Sequence, residues 1–381
     1  MSLYIPEGTP PAIPAAMARI ERRLSQPGHV RVRVGSRVEP DDVVAHTYLS
    51  TAPKIINVAR LLVIPPSQLT RAMRREVGNK VAQGDVLARV GRLGGRSCQA
   101  PISGVIAVVD TETGYVTIAP DPMEYELKAS VRGIVMDVLP HEGVVIETPA
   151  AQVYGAFGIG EENSGVLRLL VTDPHEMITA EAIDPRSAYA ILIGGAGITA
   201  AALRRAVQEK VRGVIVGGIE EHELRTFLGW HTMSDWQIGL GSWRMPHPQH
   251  VTDPGITILI TEGFGLRPMS QPLFDLLSEK DRHEALIEGL TQLRRPLRRP
   301  RVVIPLARST GVQVEPPRPQ LRPGATVRLL DNAHLGQVAR VRAISTFPRR
   351  IGAGAHAAAV EVVQENIPPF WAPRTAVEAL D

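Results

Sequence analysis

A single cysteine, Cys98, occurs in 381 residues, which excludes an internal disulfide framework and a zinc knuckle built on thiolates. A lone thiol of this kind serves as a small buried hydrophobe. Lysine is nearly as scarce, at positions 54, 80, 128, 210 and 280, so arginine supplies most of the positive charge and few lysine amines exist for covalent chemistry. Aromatic residues make up only 4% of the chain. No window approaches the roughly 18 to 20 apolar residues of a membrane helix, and MSLYIPEGTPPAIPAAMARIERRLS lacks the basic-then-apolar pattern of a signal segment. A soluble, cytoplasmic protein without membrane contact is the expectation. Catalytic signatures are missing too: no GxSxG elbow, no HExxH, no Walker GK[ST], no kinase set. That lowers the expectation of an enzyme without excluding one, and neither a cofactor nor a metal is expected.

What is present is enough apolar material, 44% of residues, for two or three cores. Residues 1–28 read as a proline-rich, briefly helical arm. An internal repeat follows: VGSRVEPDDVVA at 34–45 and VGNKVAQGDVLA at 77–88 agree at Val, Gly, Val, Asp, Val and Ala. Each reads as a glycine turn, a short strand, a tight turn and a second strand, so the two predict a paired pseudo-symmetric sandwich. Between them IPPSQLTRAMRREVG reads as a helix with Ser67 as a cap. The run GDVLA, then APISGVI, then a glycine and a closing strand resembles the barrel-sandwich hybrid family of biotinyl and lipoyl domains over 29–121. Carrier members hold a lysine on the hairpin, at the position of Leu93 here. GRLGGRSCQ has none, and arginine is not acylated in its place, so the resemblance implies a structural or docking module.

Residues 129–172 read as a small β domain. Glu161 and Glu162 are adjacent, so on a strand they face opposite sides and make no acid–base pair by spacing. Apolar strands then alternate with amphipathic helices, predicting a parallel, Rossmann-like α/β domain over 173–306. Its strands are YAILIGG, GVIVGG, ITILITEGFG and RVVIPL; SQPLFDLLSEKDRHEALIEGL reads as helix throughout. Glycine turns at Gly194, Gly195 and Gly197, at Gly217 and Gly218, and at Gly263 and Gly265 should converge at the carboxyl edge, the usual ligand crevice. Glycine after a buried strand is also ordinary turn geometry, and no dinucleotide fingerprint is present. A long connection at 229–255 carries Trp230, His231, Trp236, Trp243, His247 and His250. Tryptophan clusters on long loops suit partner surfaces or lids, or simply pack on themselves.

Charge is polarised. Residues 294–350 hold thirteen arginines against Glu315 and Asp331, a net +11 in a chain of +3, which leaves −8 elsewhere. Within 307–381, after a proline-rich linker, GATVRLLDNAHLGQVARVRAI resembles the KOW motif of SH3-like barrels, as in NusG-type factors. Gly324, Val327, Leu329, Gly336, Val338 and Val341 fill the pattern, and Ala339 stands where many members have a second glycine. The resemblance implies loops that contact RNA, polymerase or protein. Arg298, Arg299, Arg328, Arg340, Arg342, Arg349 and Arg350 could neutralise phosphates or meet acids, including those of the same chain. The expected architecture is multidomain, α/β plus β. The leading expectation is a non-catalytic adaptor or scaffold with a protein partner or a homo-oligomeric state. An RNA-associated or transcription-associated factor and a small-ligand or enzymatic α/β domain are the alternatives.

Overall fold

The structure, a computed structural model, describes residues 11–49, 51–91, 95–229, 253–291, 299–307, 321–330, 334–351, 356–365 and 367–380. Strand accounts for 47% and helix for 14%, so the fold is mostly β, with several sheets and one mixed sheet that contains parallel strands. No helix among the described residues is long and apolar enough to cross a membrane.

The N-terminal half is a duplication, but its halves do not pair with each other as the repeat predicts. Each forms a four-stranded sheet of the same order. In the first unit Ala12–Arg23 lies beside Gly143–Tyr154, then Gly133–Leu139, then Arg37–Val38. In the second, Lys54–Asn57 lies beside Tyr115–Ala119, then Gly104–Val109, then Lys80–Val81. Their backbone hydrogen bonds coincide. Gly35 donates to Val135 at 2.7 Å as Gly78 donates to Ile106 at 2.8 Å, and Ala129 donates to Asp42 at 2.9 Å as Ala100 donates to Asp85 at 2.8 Å. In each tight turn an aspartate accepts a backbone amide, Glu39 to Asp42 and Ala82 to Asp85. The hairpin Val86–Arg89 with Ser97–Gln99 matches Val43–Leu49 with Met123–Lys128, down to a register shift in the same place. Only the tip differs. A short loop closes the second hairpin, whereas the tip of the first is replaced by the whole second unit.

Two helix expectations give way to strands. AAMARIERR consists of good helix formers, yet Ala16, Ala18 and Ile20 are buried at period two while Arg19 and Glu21 face away. Pairing along Gly143–Tyr154 overrides the local propensity. So the segment expected as a loose arm is an integral strand. Likewise the helix Gln271–Glu279 ends before Arg282, whose φ of +63° breaks it, and Glu284–Glu288 returns as a strand between Asn163–Leu169 and Arg301–Pro305.

The first unit's sheet continues without a break into the α/β region, eleven strands in all. Asn163–Leu169, Ala190–Ile193, Gly213–Ile219 and Thr257–Phe264 run parallel, as buried apolar runs joined by helices require. The boundary expected near 172 therefore falls inside one sheet. Ala200–Gln208 and Glu221–Leu228 are the helices the sequence predicts between these strands.

Arg168 ties the first parallel strand to the turn before the second, donating to Asp184 and to the buried Ser187, both at 2.8 Å. The Arg168 hydrogen bond, aided by Arg168 and Arg186 charge and opposed by some desolvation, holds the Asp184 carboxyl down to about 2. A folded-state value below the ordinary 3.8 means that this contribution is full above that value and lost as pH falls toward 2. Asp184→Asn should therefore lower stability at neutral pH and flatten the loss between about pH 4 and 2 in urea titrations. The two turn aspartates are equivalent, so Asp42→Ala and Asp85→Ala should each cost about 1 kcal/mol in denaturant unfolding.

Candidate functional site

The glycine turns do meet at the carboxyl edge of the parallel strands, but they meet each other. Gly194 donates to Ile215 at 2.9 Å, Gly217 to Gly195 at 2.7 Å, Gly218 to Ala196 at 3.2 Å and Gly265 to Ile219 at 2.9 Å. Those amides are therefore not turned toward an anion. A Cβ at Gly195 would lie 2.5 to 2.7 Å from the carbonyl oxygens of Glu176, Asp173 and Pro174, one at Gly217 would strike Arg267, and one at Gly197 would crowd Leu266. Close passage of the chain's own backbone is what these glycines permit. The helix that starts at Ala200 is likewise satisfied internally: Thr199 caps Ala202 at 3.2 Å, and the Glu223 carboxylate accepts from the Ala200 amide at 2.7 Å. An anion already occupies that helix terminus, and it is a side chain of the same protein.

Gly263 has a different neighbour. Its φ of +122° and that of Gly336 at +80° let the two backbones touch, and a Cβ on Gly263 would sit 2.9 Å from the Gly336 Cα. Gly336 is a turn of the C-terminal module, a five-stranded sheet ordered Ile367–Pro373, Ala359–Gln364, Val338–Ile344, Thr326–Leu329 and Val377–Ala379. Arg267 fastens the contact, donating to Phe264 O at 2.7 Å and to Gly336 O at 2.9 Å. The C-terminal module thus docks where the parallel strands end.

Behind that contact lies a buried charge network. Arg328 donates to the Thr261 carbonyl at 3.0 Å, to Glu378 at 2.7 Å and to Glu262. Arg299 donates to the other Glu378 oxygen and twice to the Gly155 carbonyl, at 3.2 and 3.3 Å, with its guanidinium 5.3 Å from the Tyr154 ring centroid. Glu262 also accepts from the Ser270 amide at 2.9 Å. Glu378 is wholly buried, and the two arginines and Glu262 are under 9% exposed. Two positive and two negative groups balance, which such burial demands. Arg299 and Arg328 are therefore not phosphate contacts: both face acids of this chain. Arg301 is also buried, against Glu288 and the Arg19 carbonyl.

Arg340, Arg342, Arg349 and Arg350 of this module are exposed. Val338, Arg340 and Arg342 alternate with buried Ala339 and Val341, and Arg349 and Arg350 form an exposed two-residue strand. Arg342 stands 3.7 Å from Glu361, whose register partner is Trp371. The Arg349 guanidinium lies 5.2 Å from the Trp371 ring centroid, its Nε donates to Ser345 at 3.2 Å, and Phe347 is 73% exposed. Arg298, Leu93 and the tryptophan-rich loop with Trp230, His231, Trp236, Trp243, His247 and His250 lie outside the described residues. Among the described residues no group of three or more His, Cys, Asp or Glu side chains could hold a metal ion.

Glu161 and Glu162 diverge. Glu161 receives the Thr257 hydroxyl on its carbonyl, while the Glu162 carboxylate pairs with Arg22. Desolvation pushes the Glu162 carboxyl up against the opposing pull of Arg22. The network acids Glu262 and Glu378 escaped the sequence reading, though each left a trace: an acid at the end of an apolar run, ITILITE, and another between buried positions in AVEAL. No family model matches the chain, and no curated protein matches it.

Glu378→Gln leaves two buried guanidiniums with a single carboxylate, Glu262, and should cost about 3 to 5 kcal/mol in equilibrium unfolding. Arg342→Gln, at an exposed pair, should change stability by less than about 1 kcal/mol in the same assay.

Proposed function

We propose that this protein is a non-catalytic adaptor that presents the outward face of its C-terminal barrel to an acidic protein partner. The observation that carries this reading is the division of the barrel's arginines. Arg328, with Arg299 from outside the C-terminal module, fixes that module to the body through buried acids, while Arg340, Arg342, Arg349 and Arg350 remain exposed. Fixing one side gives the exposed side a defined orientation, and preorganisation lowers the entropy lost on binding. Their contacts within the chain are few and exposed, Arg342 at 3.7 Å from Glu361 and Arg349 beside Trp371, so their charge is available for recognition. Steering by such a face raises the association rate and is weakened by salt. With the glycine amides bonded inside the chain, nothing described favours a small-ligand site over this surface.

A second reading has one observation behind it. Arg349 beside Trp371, together with exposed Phe347, combines cation and aromatic surface in the way single-stranded RNA is held.

Affinity capture from native lysate, with and without nuclease, separates the two. The adaptor reading expects a stoichiometric protein partner that survives nuclease, elutes with salt, and is lost in the variant R340E/R342E/R349E/R350E without a change in melting temperature. Recovery only without nuclease would favour the RNA reading. Capture unchanged by the four reversals would contradict both.

A further inference from the structure

The duplication provides an internal control on charge. Two hairpins share one backbone geometry, so whatever charge differs between them is not required by the fold. In the first unit the hairpin is acidic: His46 lies opposite Glu126 and Tyr48 opposite Glu124, with Arg31 near both carboxylates at 3.3 and 3.6 Å. In the second unit the equivalent pair is Arg89 opposite Ser97, and Arg96 follows at the loop. Acidic and neutral positions of the first hairpin are neutral or basic in the second on an unchanged scaffold.

The difference extends beyond the hairpin. From Lys54 to Arg96 the chain holds nine basic residues against Glu76 and Asp85. Arg71 lies on the short helix Leu69–Ala72, and the chain leaving it is tied to the hairpin by the bridge of Met73 with Ala88 and by the Arg74 amide donating to Leu87 at 2.7 Å. The Val90 amide donates to Arg96 O at 2.9 Å, closing the other end. Arg71, Arg74, Arg89 and Arg96 are therefore gathered by the backbone at one end of the inserted unit, and all four are exposed. Arg75 is set apart by Asp85 at 3.6 Å, and Lys80 by Asp121 at 3.3 Å.

We infer that this end of the inserted unit binds the phosphate backbone of a nucleic-acid duplex, a site separate from the barrel face. Guanidiniums match phosphate oxygens with two parallel hydrogen bonds, which suits an arginine-rich surface to this ligand. No aromatic residue occurs between Val58 and Ala100, so the surface lacks both the stacking platform that single strands need and the aromatic anchor that centres protein interfaces. Charge alone remains, and a duplex presents regularly spaced phosphates without requiring base contact.

The test titrates the full-length protein against a short fluorescein-labelled DNA duplex by anisotropy, with duplex RNA and single-stranded DNA as further arms. Binding to either duplex is expected, with log K falling against log salt at a slope of about −3 to −4 for four phosphates. R71E/R74E/R89E/R96E should weaken it by about 100-fold or more at low salt, and R340E/R342E/R349E/R350E should leave it unchanged. Preference for the single strand would overturn the inference. So would loss in the barrel variant alone, which would place nucleic acid at the barrel, or the absence of binding at low salt.

Discussion

Glu378 holds two arginines from different parts of the chain, and the relation of the barrel to the rest depends on it. Taking four charges out of water costs several kcal/mol per ion, which only close and complete pairing offsets. Here the pairing is complete in kind: Arg328 reaches both acids and the Thr261 carbonyl, and Arg299 reaches Glu378 and the Gly155 carbonyl. Such contacts tolerate no sliding, unlike an apolar face. The glycine pair at 263 and 336 adds a steric condition at the same junction, since neither backbone admits a side chain there. A barrel fixed in this way exposes one aspect of its surface, and the proposed recognition follows from which arginines the junction leaves outside.

The second organising feature is the insertion of one unit into the hairpin of its twin. The first unit is built into the large sheet through Gly143–Tyr154, which pairs with Arg301–Pro305 as well as with its own hairpin partner. The inserted unit has no such continuation and keeps its own core, from Val58 through Ile118. Duplication has thus produced one unit that serves the fold and one free to change its surface. The charge record agrees. Residues 129–290 carry twenty-one acids against twelve basic residues, while basic charge collects in the inserted unit and in the segment leading through the barrel.

Much of this was legible in the sequence, and the failures have physical causes. The repeat was visible because turn chemistry is local: glycine at positive φ and an aspartate accepting the amide three residues before it. That the second copy interrupts the first was not, because the returning half, ASVRGIVMDV against APISGVIAVV, keeps apolar character more than identity. The parallel strands were readable as buried apolar runs, whereas AAMARIERR misled because propensity favours a helix and only a distant partner makes it a strand. Charge counting found the basic segment but could not tell Arg328 from Arg340. Both lie on one face of neighbouring strands, and what separates them is that Glu262 and Glu378 cover Arg328, a tertiary fact.

Joined by this network, the C-terminal module and the body should form one cooperative structure. Native-state hydrogen exchange read by mass spectrometry tests it, following Thr326–Leu329 and Val338–Ile344 in the barrel beside Gly213–Ile219 and Thr257–Phe264 in the body as denaturant is raised. All four segments should lose protection together, with one opening free energy. Loss of protection in the barrel strands at markedly lower denaturant, with the body strands still protected, would contradict it.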